Sequence, residues 1–152
     1  MRTLILGMGN PILSDDGVGL FIAGQLEGKI PDVDVITTAM AGLNILDLVI
    51  GYDKIFVIDA VLTDGRSLGN LKKLTENEGS LHLFSSHGLN FPELLRLGSE
   101  LGYKMPDVVA IYGIDIGNEI AFGEALSPEL RRKMTSVVDE ILQDIKSSLA
   151  LQ

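Results

Sequence analysis

Residues 7–19 read GMGNPILSDDGVG, and the rest of the chain is organised around them. It places five Gly or Pro residues and the carboxylates of Asp15 and Asp16 between an apolar run, residues 3–6, and an apolar pattern that begins at Val18. This order predicts a strand, a turn-rich loop and a helix. Adjacent carboxylates at a strand-to-helix turn are costly unless a metal ion or a helix N-terminus lies near them. The loop is therefore the first candidate for a functional site.

The composition predicts a single soluble domain spanning residues 1–152. Hydrophobic residues make up 46% of the chain and charged residues 22%, which is typical of a globular protein. No apolar stretch approaches the roughly 18 residues that a membrane-spanning helix needs, so no membrane insertion is expected. The chain contains no cysteine, which excludes disulfides and thiolate metal sites and fits a reducing cytoplasm. The oligomeric state stays open.

The charge of the chain argues against nucleic acid as a partner. The formal net charge is -9, from 21 acidic residues against 12 Lys and Arg. No Lys or Arg cluster that could neutralise phosphates is present, so nucleic-acid binding is not expected.

Apolar runs and helical patterns alternate along the chain. Strands are predicted at residues 3–6, 33–37, 55–58 and 108–112, with two edge strands between 68 and 84, and helices at about 18–28, 43–50, 90–101 and from 127 to at least 145. This alternation predicts an α/β fold: a three-layer sandwich with a mostly parallel, twisted sheet of about five strands and helices on both faces.

Candidate ligands follow the strands. Asp15 and Asp16 come after the first strand, and Asp59 ends the strand at 55–58. Ligands of open α/β sheets bind beyond the carboxyl ends of the strands, so these acids are expected at one edge. With His87, from a third loop, Asp16 and Asp59 make a set of oxygen and nitrogen donors that suits nickel, zinc, iron or manganese. The alternatives are that Asp15 or Ser14 only caps the helix and that His87 is structural or exposed.

Other motifs are weaker. The dinucleotide fingerprint G-x-G-x-x-G fails because Ile12 stands where its third glycine belongs, and no P-loop sequence follows. A serine hydrolase using Ser85 or Ser86 lacks the G-x-S-x-G elbow. His82, in an alternating apolar pattern, is predicted to be a solvent-facing strand residue. Asp115 follows the last strand and either lines the same edge or is simply solvated.

Four motifs together resemble the hydrogenase maturation endopeptidases. They are Gly7-x-Gly9-Asn10, Asp15-Asp16-Gly17-x-Gly19, the strand ending in Asp59-Ala60, and Ser86-His87-Gly88. The resemblance covers nearly the whole chain, including its closing amphipathic helix.

The resemblance implies a protease that removes a C-terminal extension from the large-subunit precursor of a nickel-iron hydrogenase after nickel insertion. Carried over residue by residue, the metal contacts and catalytic groups of the family fall on Asp16, Asp59 and His87. Relatives often have Glu at the first of these positions, and Asp16 is shorter by one methylene. The nickel is expected to be carried by the precursor, and other divalent metals are expected to bind in vitro. Asp15 is expected to be structural.

Two other functions remain open at this point. One is a non-catalytic, nickel-dependent chaperone or quality-control protein that uses the same three ligands. The other is a peptidyl-tRNA hydrolase, whose opening resembles residues 7–11, although the histidine-bearing motif of that family is absent and the charge of -9 is wrong for tRNA.

Overall fold

The computed structural model describes residues 1–75, 78–83 and 89–151. The strands are β1 (Thr3–Met8), β2 (Val33–Thr38), β3 (Lys54–Val61), β4 (Leu71–Leu74) and β5 (Asp107–Asp115). The helices are α1 (Val18–Leu26), α2 (Leu46–Val49), α3 (Phe91–Glu100) and α4 (Pro128–Ala150), and short 3-10 turns at Ser14–Gly17 and Gly42–Ile45 precede α1 and α2.

The strands form one sheet in the order β2-β1-β3-β5-β4. The first four of these run parallel, and β4 adds to the edge of β5 in the antiparallel direction. The carboxyl ends of β1, β2, β3 and β5 therefore meet at one edge, and the loops that follow them are neighbours. The predicted α/β sandwich with a mostly parallel sheet is confirmed.

Each face of the sheet carries its own apolar core. Alternate side chains of β1 and β3 point to opposite faces, so that Ile5 and Phe56 join α1 and α4, whereas Leu4 and Val57 join α2 and α3. Every residue of β1 is buried, as expected for a parallel strand covered on both faces.

Two predicted elements differ in the structure. Only one edge strand, β4, forms between residues 68 and 84 in the described part, and residues 81–83 form a turn instead of a second strand. The predicted helix at 43–50 is a 3-10 turn followed by one short helical segment. Its all-round apolar sequence packs Ile45 and Val49 inside the core, because tertiary burial rather than helical propensity stabilises so short a segment.

The glycines of residues 7–19 serve close packing. None of the four glycines in this stretch has a positive φ. A Cβ on Gly7 would lie 2.4 Å from the Cβ of Ala23 and 2.5 Å from the carbonyl oxygen of Gly19. A Cβ on Gly9 would lie 2.4 Å from the carbonyl oxygen of Asp16. These residues let β1 and its loop approach the turn and helix that follow, which a larger residue would prevent.

In the described ranges, no helix combines the length and the apolar character needed to cross a membrane.

Candidate active site

Asp16 lies at the carboxyl edge of the sheet, inside the 3-10 turn between β1 and α1. Its side chain is buried, with 2% of the residue exposed. Its Oδ2 accepts a hydrogen bond of 3.0 Å from the backbone N–H of Asn10, which holds the carboxylate against the preceding loop. Its Oδ1 is buried and accepts no hydrogen bond from any residue that the structure describes. A buried carboxylate oxygen without a donor is costly, and this atom keeps an unused capacity to accept a hydrogen bond.

Asp59 lies near the carboxyl end of β3 and is fully buried. Its Oδ1 accepts from the backbone N–H of Ala60 at 2.9 Å. Its Oδ2 accepts from the hydroxyl of Ser80 at 2.8 Å and from the backbone N–H of His82 at 2.6 Å. The carboxylate therefore fastens residues 80–82 onto the end of β3, and its orientation is fixed by charge-assisted hydrogen bonds.

The imidazole of His82 lies between the two carboxylates. Its Nδ1 is 2.7 Å from Oδ1 of Asp59, and its Nε2 is 3.2 Å from Oδ2 of Asp16. The side chain of His82 is 14% exposed, against 3% for Asp16 and 0% for Asp59. The imidazole is thus the most exposed of the three groups and covers the two acids.

These contacts keep His82 positively charged. Burial lowers its pKa, but hydrogen bonds and charges of Asp16 and Asp59 outweigh this and raise the pKa to about 10. Both ring nitrogens then donate at neutral pH. Because the folded-state pKa is above the ordinary value of 6.5, this ion-paired set stabilises the fold fully below pH 6.5, and the contribution is lost as the pH rises through about 10.

The structure corrects the prediction for His82. The alternation of Leu81, His82 and Leu83 predicted a solvent-facing strand residue, and this prediction was wrong because the segment is a turn fastened to Asp59. One feature of the sequence points to His82 as a site residue: the chain has two histidines, and His82 is one of them. His87, with Ser85 and Ser86, lies outside the described residues, so its predicted role stays a prediction.

As arranged, no group of three or more His, Cys, Asp or Glu side chains in the described ranges could hold a metal ion. Asp16 and Asp59 do come together at one site, as their places after β1 and in β3 predicted, but an imidazole separates them. A shared metal would require this ring to leave.

Asp15 points away from its neighbour Asp16 and joins the loop to α4. Its Oδ1 accepts from the backbone N–H of Ser127 at 2.7 Å, and its Oδ2 accepts from the Ser127 hydroxyl at 2.9 Å. Ser127 is itself the N-cap of α4, and its hydroxyl accepts from the backbone N–H of Leu130. Neither Asp15 nor Ser14 caps the turn or helix that follows them in residues 14–26. Asp15 is structural through this long-range contact.

We expect Asp15→Ala to lower the free energy of unfolding by about 1–2 kcal/mol, because it leaves two donors of Ser127 without their acceptor. Urea denaturation at pH 7 measures the change. The matched control is Asp64→Ala, whose exposed carboxylate accepts a local hydrogen bond from the backbone N–H of Arg66 and pairs with the exposed guanidinium of the same residue. This control should change stability by less than about 0.5 kcal/mol. Equal effects of the two substitutions would contradict the role assigned to Asp15.

Asp115 is buried and serves structure at the same edge. Its Oδ1 accepts from the hydroxyl of Thr63 at 2.6 Å and from the backbone N–H of Gly117 at 2.7 Å. It therefore joins the loops after β3 and β5 and is not simply solvated.

The family model for hydrogenase maturation proteases matches residues 22–144 of this chain. The chain belongs to the hydrogenase maturation protease family. Membership of this family makes the protein a peptidase. The family match also favours a maturation protease over a peptidyl-tRNA hydrolase as the interpretation of the motifs in residues 7–19.

Individual relatives agree with this assignment over the full length. The hydrogenase 2 maturation protease of Escherichia coli is 24% identical over 154 residues, covering 97% of this chain and 93% of the relative. The fold is similar to that of the E. coli hydrogenase maturating endopeptidase HybD, with a TM-score of 0.73, 21% identity and coverage of 97% and 94%. The Thermococcus kodakarensis [NiFe] hydrogenase maturation protease HybD gives a TM-score of 0.62 at 26% identity, covering 95% of this chain and 99% of that one.

Proposed function

We propose that this protease removes the C-terminal extension of a nickel-iron hydrogenase large-subunit precursor once nickel has been inserted, and that it recognises the nickel carried by the precursor through Asp16, Asp59 and His87. Under this proposal the enzyme works in the cytoplasm, where its precursor is assembled. The proposal is supported by the family, by the printed descriptions of its relatives and by the chemistry of the acids at the carboxyl edge.

The observation that carries the proposal is the buried Oδ1 of Asp16. None of the described residues donates to this oxygen, and it lies on the same carboxylate whose Oδ2 faces His82. Carboxylate oxygens and imidazoles bind nickel, so the donor types at this edge suit that metal once the ring of His82 has left the gap between the two acids. The Asn10 N–H holds the other oxygen of this carboxylate, Oδ2, and so fixes the orientation of the side chain in its loop.

The same carboxylates suit peptide hydrolysis. Nickel on the precursor acts as a Lewis acid toward a carbonyl or a water near it. In this proposal the carboxylate of Asp16 accepts a proton from that water as the general base. Asp59, whose oxygens already accept from neighbouring donors, holds residues 80–82 in place.

The loops at this edge also offer surface for a polypeptide. Large apolar side chains are exposed on the loops that follow β1, β2, β3 and β5. They are Ile12, Met40, Leu43, Leu62, Ile120 and Phe122. Exposed apolar groups gathered around a site are typical of protein-binding surfaces, which a precursor protein as substrate requires.

The test uses nickel-loaded and nickel-free precursor incubated with the wild-type enzyme and with Asp16→Asn, and follows the mass of the precursor. We expect the wild type to shorten only the nickel-loaded precursor. Asp16→Asn, which loses the base and the negative charge, should cleave at least about 100-fold more slowly. His87→Ala should show a loss of the same order, and the exposed Asp64→Asn serves as control with unchanged cleavage.

Two outcomes would contradict the proposal. Cleavage by Asp16→Asn at the wild-type rate would remove Asp16 from the catalytic groups. Equal cleavage of nickel-free precursor would remove nickel as the recognised feature. If the wild type forms a nickel-dependent complex with the precursor but no mass is lost, the protein is a chaperone of the kind left open by its sequence.

A further inference from the structure

His82 occupies the gap between Asp16 and Asp59 because residues 80–82 are hydrogen-bonded to the end of β3. The hydroxyl of Ser80 and the backbone N–H of His82 both donate to Oδ2 of Asp59. The backbone N–H of Leu81 donates to the carbonyl oxygen of Ala60 at 2.9 Å. Residues 80–82 are thus fastened along the end of β3, and this attachment directs the imidazole between the two carboxylates.

The position of the ring is incompatible with a metal shared by the two acids. Carboxylate oxygens bind first-row divalent metals at about 2.0–2.2 Å, so two oxygens on one ion are at most about 4.4 Å apart. The ring of His82 stands between the oxygens, with separations of 2.7 Å on the Asp59 side and 3.2 Å on the Asp16 side. The two carboxylate oxygens are separated by both of these distances and by the ring itself. This separation is larger than the distance between two oxygens that bind the same ion.

We propose that the imidazole of His82 fills the gap between Asp16 and Asp59, where a metal ion shared by the two acids would lie, until nickel presented by the precursor displaces it. This inference rests on the proposed function, and it concerns how the site rejects free metal. The displacement breaks the hydrogen bonds from the imidazole to the two carboxylates, and no covalent bond is made or broken. His82 is a positioning residue in this scheme, because it acts through the two acids and does not touch the precursor's reacting atoms.

The consequence is selectivity for metal that arrives in a protein. A free Ni²⁺ ion must pay for breaking two charge-assisted hydrogen bonds before it binds both acids. Nickel held in a precursor brings additional contacts with the enzyme, and these offset that cost. A nickel-free precursor leaves His82 in place and the acids engaged.

The experiment measures binding of Ni²⁺ alone to the free enzyme by isothermal titration calorimetry. We expect His82→Ala to bind Ni²⁺ at least about tenfold more tightly than the wild type, because the metal no longer competes with the imidazole. His82→Gln, which keeps a donor toward one acid but no ring that spans both, should shift affinity in the same direction by a smaller factor. Asp16→Asn added to His82→Ala should abolish the gain, which assigns it to this site.

Weaker or unchanged Ni²⁺ binding by both His82 variants would overturn the inference, and weaker binding would make His82 a metal ligand instead. Circular dichroism of each variant verifies that it is folded. If His82→Ala does not fold, the metal affinity of His82→Gln is compared with that of the wild type instead. Failure of this inference is distinguishable from failure of the proposed function, which is a wild-type enzyme that does not cleave the precursor. The present inference fails only on the metal affinities of the free enzyme.

Discussion

Asp59→Asn is expected to lower the free energy of unfolding by about 3–5 kcal/mol, the cost of breaking a buried ion pair from one side. Each oxygen of Asp59 accepts from a backbone N–H, Oδ1 from Ala60 and Oδ2 from His82. Whichever oxygen becomes the amide nitrogen, a donor then faces a donor. The substitution also leaves the buried imidazolium with one carboxylate fewer.

Asp16→Asn is the matched control, because its two oxygens are not equivalent. Among residues 1–75, 78–83 and 89–151, its Oδ1 has no partner, so the new amide nitrogen takes that position while the remaining oxygen still accepts from Asn10 and His82. The expected loss is about 1–2 kcal/mol, from the missing charge. Guanidinium denaturation at pH 7 compares the two variants, and equal midpoints would contradict this account of the site.

The contrast decides which variant reports on catalysis. A domain of this size has a total stability of about 5–15 kcal/mol, so Asp59→Asn alone removes a large part of it. Loss of cleavage in that variant would therefore be ambiguous. Asp16→Asn keeps the fold, and its loss of cleavage reports on the chemistry of the carboxylate.

Gly19→Ala is the second substitution with a large expected effect. A Cβ at this position would lie 2.3 Å from the carbonyl oxygen of Met8 and 2.6 Å from that of Ile58. Both are backbone atoms of central strands, so α1 itself would have to move outward. We expect the free energy of unfolding to fall by about 3 kcal/mol or more, or the variant not to fold.

The matched control lies in the same helix. Gly24 is exposed, and a Cβ there would meet nothing within 4 Å. Gly24→Ala should raise stability by about 0.5–1 kcal/mol, because alanine loses less backbone entropy in a helix than glycine does. Thermal unfolding of both variants followed by circular dichroism measures the two shifts. A destabilised Gly24→Ala, or a Gly19→Ala variant as stable as the wild type, would refute the packing argument.

Much of the fold follows from local pattern. The apolar runs that became β1, β3 and β5 are short, continuous and flanked by Gly or polar residues, which is the signature of strands buried on both faces. The sequence also predicts α4 from local features. Its apolar residues recur with helical periodicity, and Ser127-Pro128 is typical of a helix N-terminus. Long-range pairing was not needed to recognise any of them.

The local sequence pattern does not predict the structural role of the glycines in residues 7–19. A turn and a close approach both call for glycine, and only the φ angles together with the neighbours of each missing Cβ distinguish them. In residues 7–19 the answer is close approach, and the neighbours of Gly7 and Gly19 come from α1, β1 and β3.

The α/β class, the family and the place of Asp16 and Asp59 at one edge all follow from the order of residues along the chain, because the direction of parallel strands fixes where their carboxyl ends lie. The surroundings of these acids depend on the three-dimensional fold. A period-two pattern is shared by strands and by some turns, so Leu81-His82-Leu83 did not reveal that residues 80–82 fold back 21 and 23 positions onto Asp59. The charge and burial of His82 depend on those distant contacts, and no local pattern encodes them.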